Sequence, residues 1–125
     1  MDENEISYKI IGAAIELHKT LGPGLLESVY ERCLAYDLRE LGLEVKQQLP
    51  VALIYKGVKE EEAFRLDLIV NDKVIIELKS VKELGPVDFA KTLTYLKLSN
   101  KKLGLLINFN SKILKDYIHR IVNGL

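Results

Sequence analysis

A chain of 125 residues with 18 basic and 18 acidic side chains carries no formal net charge, so no global basic footprint marks it for nucleic acid. Its one cysteine, Cys33, excludes an intrachain disulfide, and with one methionine and two histidines it leaves no Cys/His zinc cluster. The length suits a single domain, 1–125, burying roughly two-thirds of its unfolded surface. The acidic Met-Asp-Glu-Asn-Glu start is unlike a signal peptide, and no apolar run nears the ~20 residues of a membrane span, so a soluble chain in a reducing cytoplasm is expected.

The elements follow from periodicity. Ile6, Ile10, Ala13, Ala14, Leu17 and Leu21 recur at three- and four-residue steps, which predicts an amphipathic helix from Glu5 to Thr20 that stops at Gly22-Pro23-Gly24. Leu25 to Leu41 is a second helix, with Leu26, Val29, Tyr30, Cys33, Leu34 and Leu41 inward and Gly42 as its punctuation. Strands are expected at Val45 to Tyr55, where Pro50 interrupts a run of β-formers, at Glu61 to Val70 and at Val74 to Ser80. Pro86 starts a helix through about Leu98, since proline suits the first helical turn. Leu103 to Asn108 is a short, fully apolar strand, and Ser111 to Val122 a closing helix capped by Ser111. The predicted class is α/β (α+β), a mixed sheet flanked by helices in the order α-α-β-β-β-α-β-α.

Charges interrupt the apolar runs in one place. Asp67, Glu77 and Lys79 lie within Phe64 to Ser80, and a buried carboxylate must be neutralised, hydrogen-bonded or bound to a cation. A three-residue loop, Asn71-Asp72-Lys73, pairs Val70 with Val74, Leu68 with Ile76 and Leu66 with Leu78 on one apolar face. The other face then carries Ile69 with Ile75, Asp67 with Glu77 and Arg65 with Lys79. A two-residue Asn71-Asp72 loop would oppose Asp67 to Ile76 and scramble both faces. A second acid-x-lysine triplet, Glu44-Val45-Lys46, follows a helix end and reads as solvated.

Asp67 with Glu77-Leu78-Lys79 resembles the core of the PD-(D/E)XK nuclease superfamily. Gly24-Leu25-Leu26-Glu27-Ser28-Val29-Tyr30 is similar to the G-x-x-E-x-x-Y signature of one small-protein family within it. The resemblance runs from about Ile11 to Asn108 and includes Leu21-Gly22-Pro23-Gly24, Arg65-Leu66-Asp67 and Gly104 to Phe109. It implies a restriction-endonuclease-like fold and a metal-dependent nuclease with its site at one end of the central hairpin. Mg²⁺ or Mn²⁺ would be held by Asp67, Glu77 and the Leu78 backbone carbonyl, with Glu27 joining through water or holding a second ion. Lys79 would orient the attacking water or stabilise developing charge.

Each assignment has a structural counterpart. Glu27 also suits the first turn of a helix, where the dipole favours it. Lys79 could instead form an ion pair with Asp67 or Glu77. His18 is either a hydrogen-bonding group near the acids or a structural histidine, and Tyr30 either orients Glu27 or packs in the core. Tyr95, on one helix face with Lys91, is a rim residue or a core-edge aromatic. The resemblance breaks at Asp88 and Lys91, where similar proteins tend to carry histidine and glutamine, which puts cleavage in question more than fold. Lys97, Lys101 and Lys102, and Lys112, Lys115 and Arg120, are local basic clusters or solvated surface. Three functions stay open: a nuclease acting on DNA, or else RNA; a nucleic-acid-binding module with a degenerate site; and a non-enzymatic interaction domain. A homodimer spanning both strands of a duplex is compatible with so small a chain.

Overall fold

Asp2 starts the first helix through a reciprocal cap: its Oδ1 accepts from Glu5 N at 2.8 Å while the Glu5 side chain accepts from Asp2 N. The computed structural model describes residues 1–125. Helices α1 (Glu3–Leu21) and α2 (Glu27–Glu40) precede strands β1 (Val45–Tyr55), β2 (Val58–Val70) and β3 (Val74–Lys79). Helix α3 (Pro86–Ser99) then leads to β4 (Leu103–Asn108), a 3₁₀ turn (Leu114–Tyr117) and β5 (Ile118–Val122).

The strands form one sheet in the order β1-β2-β3-β4-β5, antiparallel except where β3 and β4 run parallel. A parallel pair needs a crossover, and α3 supplies it. Residues of α1 and α2, among them Ile6, Ile10, Leu34 and Leu38, pack with Leu68, Val70, Ile76, Leu105 and Ile107 in the larger core. On the opposite face Leu96 of α3 packs with Leu66, Ile69 and Ile75.

The hairpin register is the predicted one: Leu68, Ile69 and Val70 face Ile76, Ile75 and Val74 across Asn71-Asp72-Lys73. Asn71 and Asp72 take left-handed φ of 51° and 54°, which these residue types tolerate. Leu66 departs from the expected face. It belongs to the α3-side cluster rather than lying beside Leu68, because Gln48 adopts φ 51° and neither Gln48 nor Asp67 is paired in the β1/β2 ladder. Leu49, Val51 and Phe64 follow Leu66 to that side. The alternation is reset at Asp67.

The closing helix is the second correction. Only Leu114–Tyr117 is helical, as a 3₁₀ turn, and Ile118–Val122 pairs antiparallel with β4. Ser111 caps no helix; its hydroxyl donates to Asn108 O at 3.4 Å. The β-branched Ile118, Ile121 and Val122 cover the edge that β4 would otherwise expose. Arg120 accordingly sits on β5, donating to Ser7 Oγ and Asn4 Oδ1 of α1.

The loop between α1 and α2 is tied down from beneath. Tyr30 is fully buried and stacked on Phe109 at 4.4 Å, and its hydroxyl donates to Gly22 O at 2.5 Å while accepting from Leu25 N at 3.2 Å. Tyr30→Phe keeps the stacking and strands both backbone groups. A loss of about 1–2 kcal/mol in urea unfolding is expected, with little change in far-UV circular dichroism.

Candidate active site

Strands β2 and β3 separate beyond Leu68 and Ile76, and side chains enter the gap. Asp67 Oδ2 accepts from Leu78 N at 2.8 Å, and Asp67 N donates to Glu77 Oε1 at 3.3 Å. A carboxylate thus stands where the next ladder bonds would be. Asp67 and Glu77 are brought together as the sequence predicts, with Glu77 9 % exposed and Asp67 half-buried.

That proximity has an electrostatic cost. Burial, then the neighbouring Asp67 charge, pushes the Glu77 carboxyl up to about 8. Asp67 is also raised, chiefly by burial and further by Glu31, although the Leu78 N–H opposes the shift. Two acids in low dielectric favour a shared proton or a cation between them.

Glu31 is the carboxylate that the sequence reading missed. It lies one turn after Glu27, is buried, and accepts from Gln47 Nε2 at 3.1 Å and Gln48 Nε2 at 2.5 Å. Gln48 Nε2 also reaches Asp67 Oδ1 at 3.4 Å, so the residue that resets the strand alternation links two of the three acids. An available signal was phase: Glu31 shares the inward stripe of α2 with Ala35 and Leu38.

Glu27 is exposed and placed differently. Its Oε2 accepts from Ser80 N at 3.3 Å, while Ser80 Oγ donates to Leu25 O at 2.9 Å. This pins the start of α2 to the end of β3 rather than aiming Glu27 into the Asp67/Glu77 pair. Lys79 pairs with neither of those acids: its Nζ lies 3.7 Å from Asp88 Oδ1 at the start of α3. Asp88 Oδ2 also accepts from Gly85 N at 2.8 Å and so caps the helix. The unexpected acid at position 88 therefore fixes Lys79.

Lys91, on α3, is close enough to Glu77 for its charge to favour the ionised carboxyl. Its ammonium is 5.8 Å from the Tyr95 ring centroid. Tyr95 stacks on Phe64 at 4.3 Å, which makes it a core-edge aromatic. Tyr30 and His18 are buried, each with its ring against Phe109, and neither hydrogen-bonds an acid of the site. Glu44 and Lys46 form an exposed pair at 3.9 Å, as expected of a solvated copy of the triplet.

The side chains that could offer donors are Asp67, Glu77 and Glu31, whose hard oxygens would suit Mg²⁺ or Mn²⁺ and not a thiophilic ion. No three acid, histidine or cysteine side chains already converge on one cation position. The fit rests on the crowding of hard oxygens at Asp67 and Glu77, whose ionised forms a cation would stabilise in place of the proton that burial and the neighbouring charge now favour. None of the three clefts of the molecule is lined by these residues.

A profile of the PD-(D/E)XK nuclease superfamily matches residues 4–121, nearly the whole chain, and the protein belongs to that superfamily. Its mixed five-stranded sheet with helices on both faces is the restriction-endonuclease-like arrangement. No curated protein and no solved structure matches the chain. No helix is long and apolar enough to cross a membrane.

Proposed function

We propose that the protein is a Mg²⁺- or Mn²⁺-dependent nuclease hydrolysing phosphodiester bonds, with DNA the favoured substrate, and that it is one of the G-x-x-E-x-x-Y proteins of its superfamily. The observation that carries this reading is the Asp67/Glu77 pair: two acids raised chiefly by burial, with the Asp67 charge raising Glu77 further and Glu31 raising Asp67, set in a strand gap with a lysine two residues on in the same strand. Structural ion clusters normally place a cation between the acids; here Lys79 is engaged by Asp88 instead.

In this reading Asp67 and Glu77 hold the metal, with Glu31 and the Leu78 carbonyl completing the oxygen set. Backbone groups of one residue point the same way in a strand, so the Leu78 carbonyl shares the β2 side with the N–H that meets Asp67. When bound, the ion polarises the scissile phosphate and lowers the pKa of a bound water. The water oxygen would bond to phosphorus and give up one proton, one P–O ester bond would break, and the leaving oxygen would take a proton and depart as the alcohol. Lys79, steadied by Asp88, orients the water or faces the developing charge, and Lys91 offers a second cation on the α3 side. Glu27 acts one step back, by fixing Ser80 and hence the end of β3.

Titrating Mn²⁺ calorimetrically into the wild type, then incubating it with plasmid and single-stranded substrates, tests the reading. Metal-dependent cleavage is expected. The Lys79–Asp88 pair also favours a second reading, a binding module in which Lys79 is drawn away from the chemistry. Binding that weakens with salt but never turns over would select it, and an Asp88→Asn variant would then gain cleavage rather than lose it.

A further inference from the structure

A second feature lies against the α1–α2 loop and the segment that follows β4. A cleft of about 470 Å³ is lined by Ile15, His18 and Lys19 of α1, by Gly22 and Pro23, and by the 112–115 segment that follows β4. Lys19, Lys112 and Lys115 are its charged residues, and no acid lines it. Lys112 and Lys115 are exposed and form no ion pair, while Lys19 makes only a solvent-exposed contact of 3.5 Å with Glu16.

At the cleft wall, His18 is 5 % exposed, and its Nε2 is the one buried side-chain polar atom in the protein without a hydrogen-bond partner. A buried polar atom left unmatched is uncommon, and each such group asks for an explanation. His18 rests on Phe109, the residue after β4, at 6.3 Å between rings. Phe109 in turn stacks on Tyr30, whose hydroxyl holds Gly22 and Leu25, and Leu25 O accepts from Ser80 at the end of β3. The cleft is thus tied through the α1–α2 loop to Ser80, which follows the strand that carries Glu77.

We propose that this cleft is a phosphate-binding subsite, with Lys19, Lys112 and Lys115 as its charges and His18, whose shielded Nε2–H reaches the cleft once the imidazole turns, as its hydrogen-bond donor, taking a backbone phosphate of a nucleic-acid strand that also crosses the acids. The identity of the ligand rests on the nuclease reading; the anion chemistry of the cleft does not. Nε2 carries the proton in one neutral tautomer and in the imidazolium, so either form donates to a phosphate oxygen. Lysine serves phosphate as a flexible point charge, and three of them around one donor place positive potential in a protein whose net charge is zero. The carboxylates alone would repel a polyanion, and a neighbouring basic subsite offsets that repulsion.

The two histidines make the test direct, because His119 packs on Phe89 at 5.0 Å on β5 and serves as an internal control. Inorganic phosphate titrated into the full chain without divalent metal, followed by ¹⁵N NMR of the imidazoles, is expected to move the His18 resonances and leave those of His119 in place. The shift should vanish in Lys112→Gln/Lys115→Gln, whose substitutions are on the surface and spare the fold, and persist in Asp67→Asn. A metal-free oligonucleotide duplex should compete with phosphate. By fluorescence anisotropy the double variant should bind it about 5- to 10-fold more weakly, with a log K against log salt slope shallower by about 1 to 2. Lys97→Gln/Lys102→Gln, before the opposite end of β4, should change the slope less. His18 resonances unmoved by phosphate, or a double variant that binds like the wild type, would overturn the subsite. Phosphate binding with no competition from the duplex would overturn its assignment to a nucleic-acid backbone and leave it to a free phosphorylated small molecule. Failure of Mn²⁺ binding with the His18 shift intact sinks the nuclease reading alone.

Discussion

Asp67→Asn is expected to lower metal-dependent cleavage by about 10³-fold or more, since losing one charged ligand removes several kcal/mol of metal-centred stabilisation and each 1.36 kcal/mol is tenfold in rate. Asparagine has the shape of aspartate, and its Oδ1 can still accept from Leu78 N, the bond that closes the strand gap at 2.8 Å. Removing a raised, half-buried acid also relieves Glu77, so the fold should survive and the loss should not come from unfolding. Mn²⁺ binding by calorimetry should fall with the activity. Lys79→Ala makes the contrast: it leaves the oxygen donors intact, so metal binding should persist while cleavage drops by about 10²- to 10³-fold. Wild-type cleavage by Asp67→Asn would remove Asp67 from the chemistry. Wild-type cleavage by Lys79→Ala would mean that its pairing with Asp88 is purely structural.

The Asp67/Glu77 pair was legible because local chemistry alone fixes the hairpin. Asn71 and Asp72 accept left-handed φ, a three-residue loop sets the parity, and apolar alternation makes any other register costly. What precedes Leu68 was not legible, since alternation assumes an unbroken strand. The break comes from Gln48 at φ 51°, a conformation glutamine has no intrinsic preference for, held by its bonds to Glu31 and Asp67. Those partners are 17 and 19 residues away. Polar contacts of that range leave no periodic trace.

The end of the chain misled for a different reason. Leu114, Ile118 and Ile121 stand four and three residues apart, which is helical spacing, yet Ile118, Ile121 and Val122 are β-branched. Tertiary context decided: β4 is buried along its whole length and needs a partner on its second edge. Glu31 escaped notice because a glutamate on the inward face of an amphipathic helix resembles a boundary residue until the strands that meet it are known. Glu27, favoured by its motif, is the acid nearest in sequence to the glycine turn, but the Ser80 backbone claims it.

A falling stability with rising pH is the second large effect expected of this site. Glu77 titrates at about 8 in the folded chain against an ordinary value of 4.5. Between those values the folded state holds a proton that the unfolded state has released, so the unfolded chain binds fewer protons and the slope of unfolding free energy with pH is negative. The stability is fully present below the unfolded value, is lost as pH rises through the window, and levels off above the folded value. At its steepest the loss is on the order of 1.4 kcal/mol per pH unit, and the raised Asp67 contributes with the same sign. Glu77→Gln cannot ionise and keeps an oxygen for Asp67 N, so it should flatten the profile and, at about pH 8.5, exceed the metal-free wild type by about 1–3 kcal/mol while losing activity. Mn²⁺ should restore the wild type at that pH, because a cation takes the place of the proton, and should do little for the variant. Urea unfolding at about pH 5.5 and about pH 8.5, with and without Mn²⁺, reads all of these. A wild type that gains stability across the window would mean that the two carboxylates are already neutralised by lysine, with Lys79 or Lys91 turned toward them in solution and no vacancy left for a divalent ion.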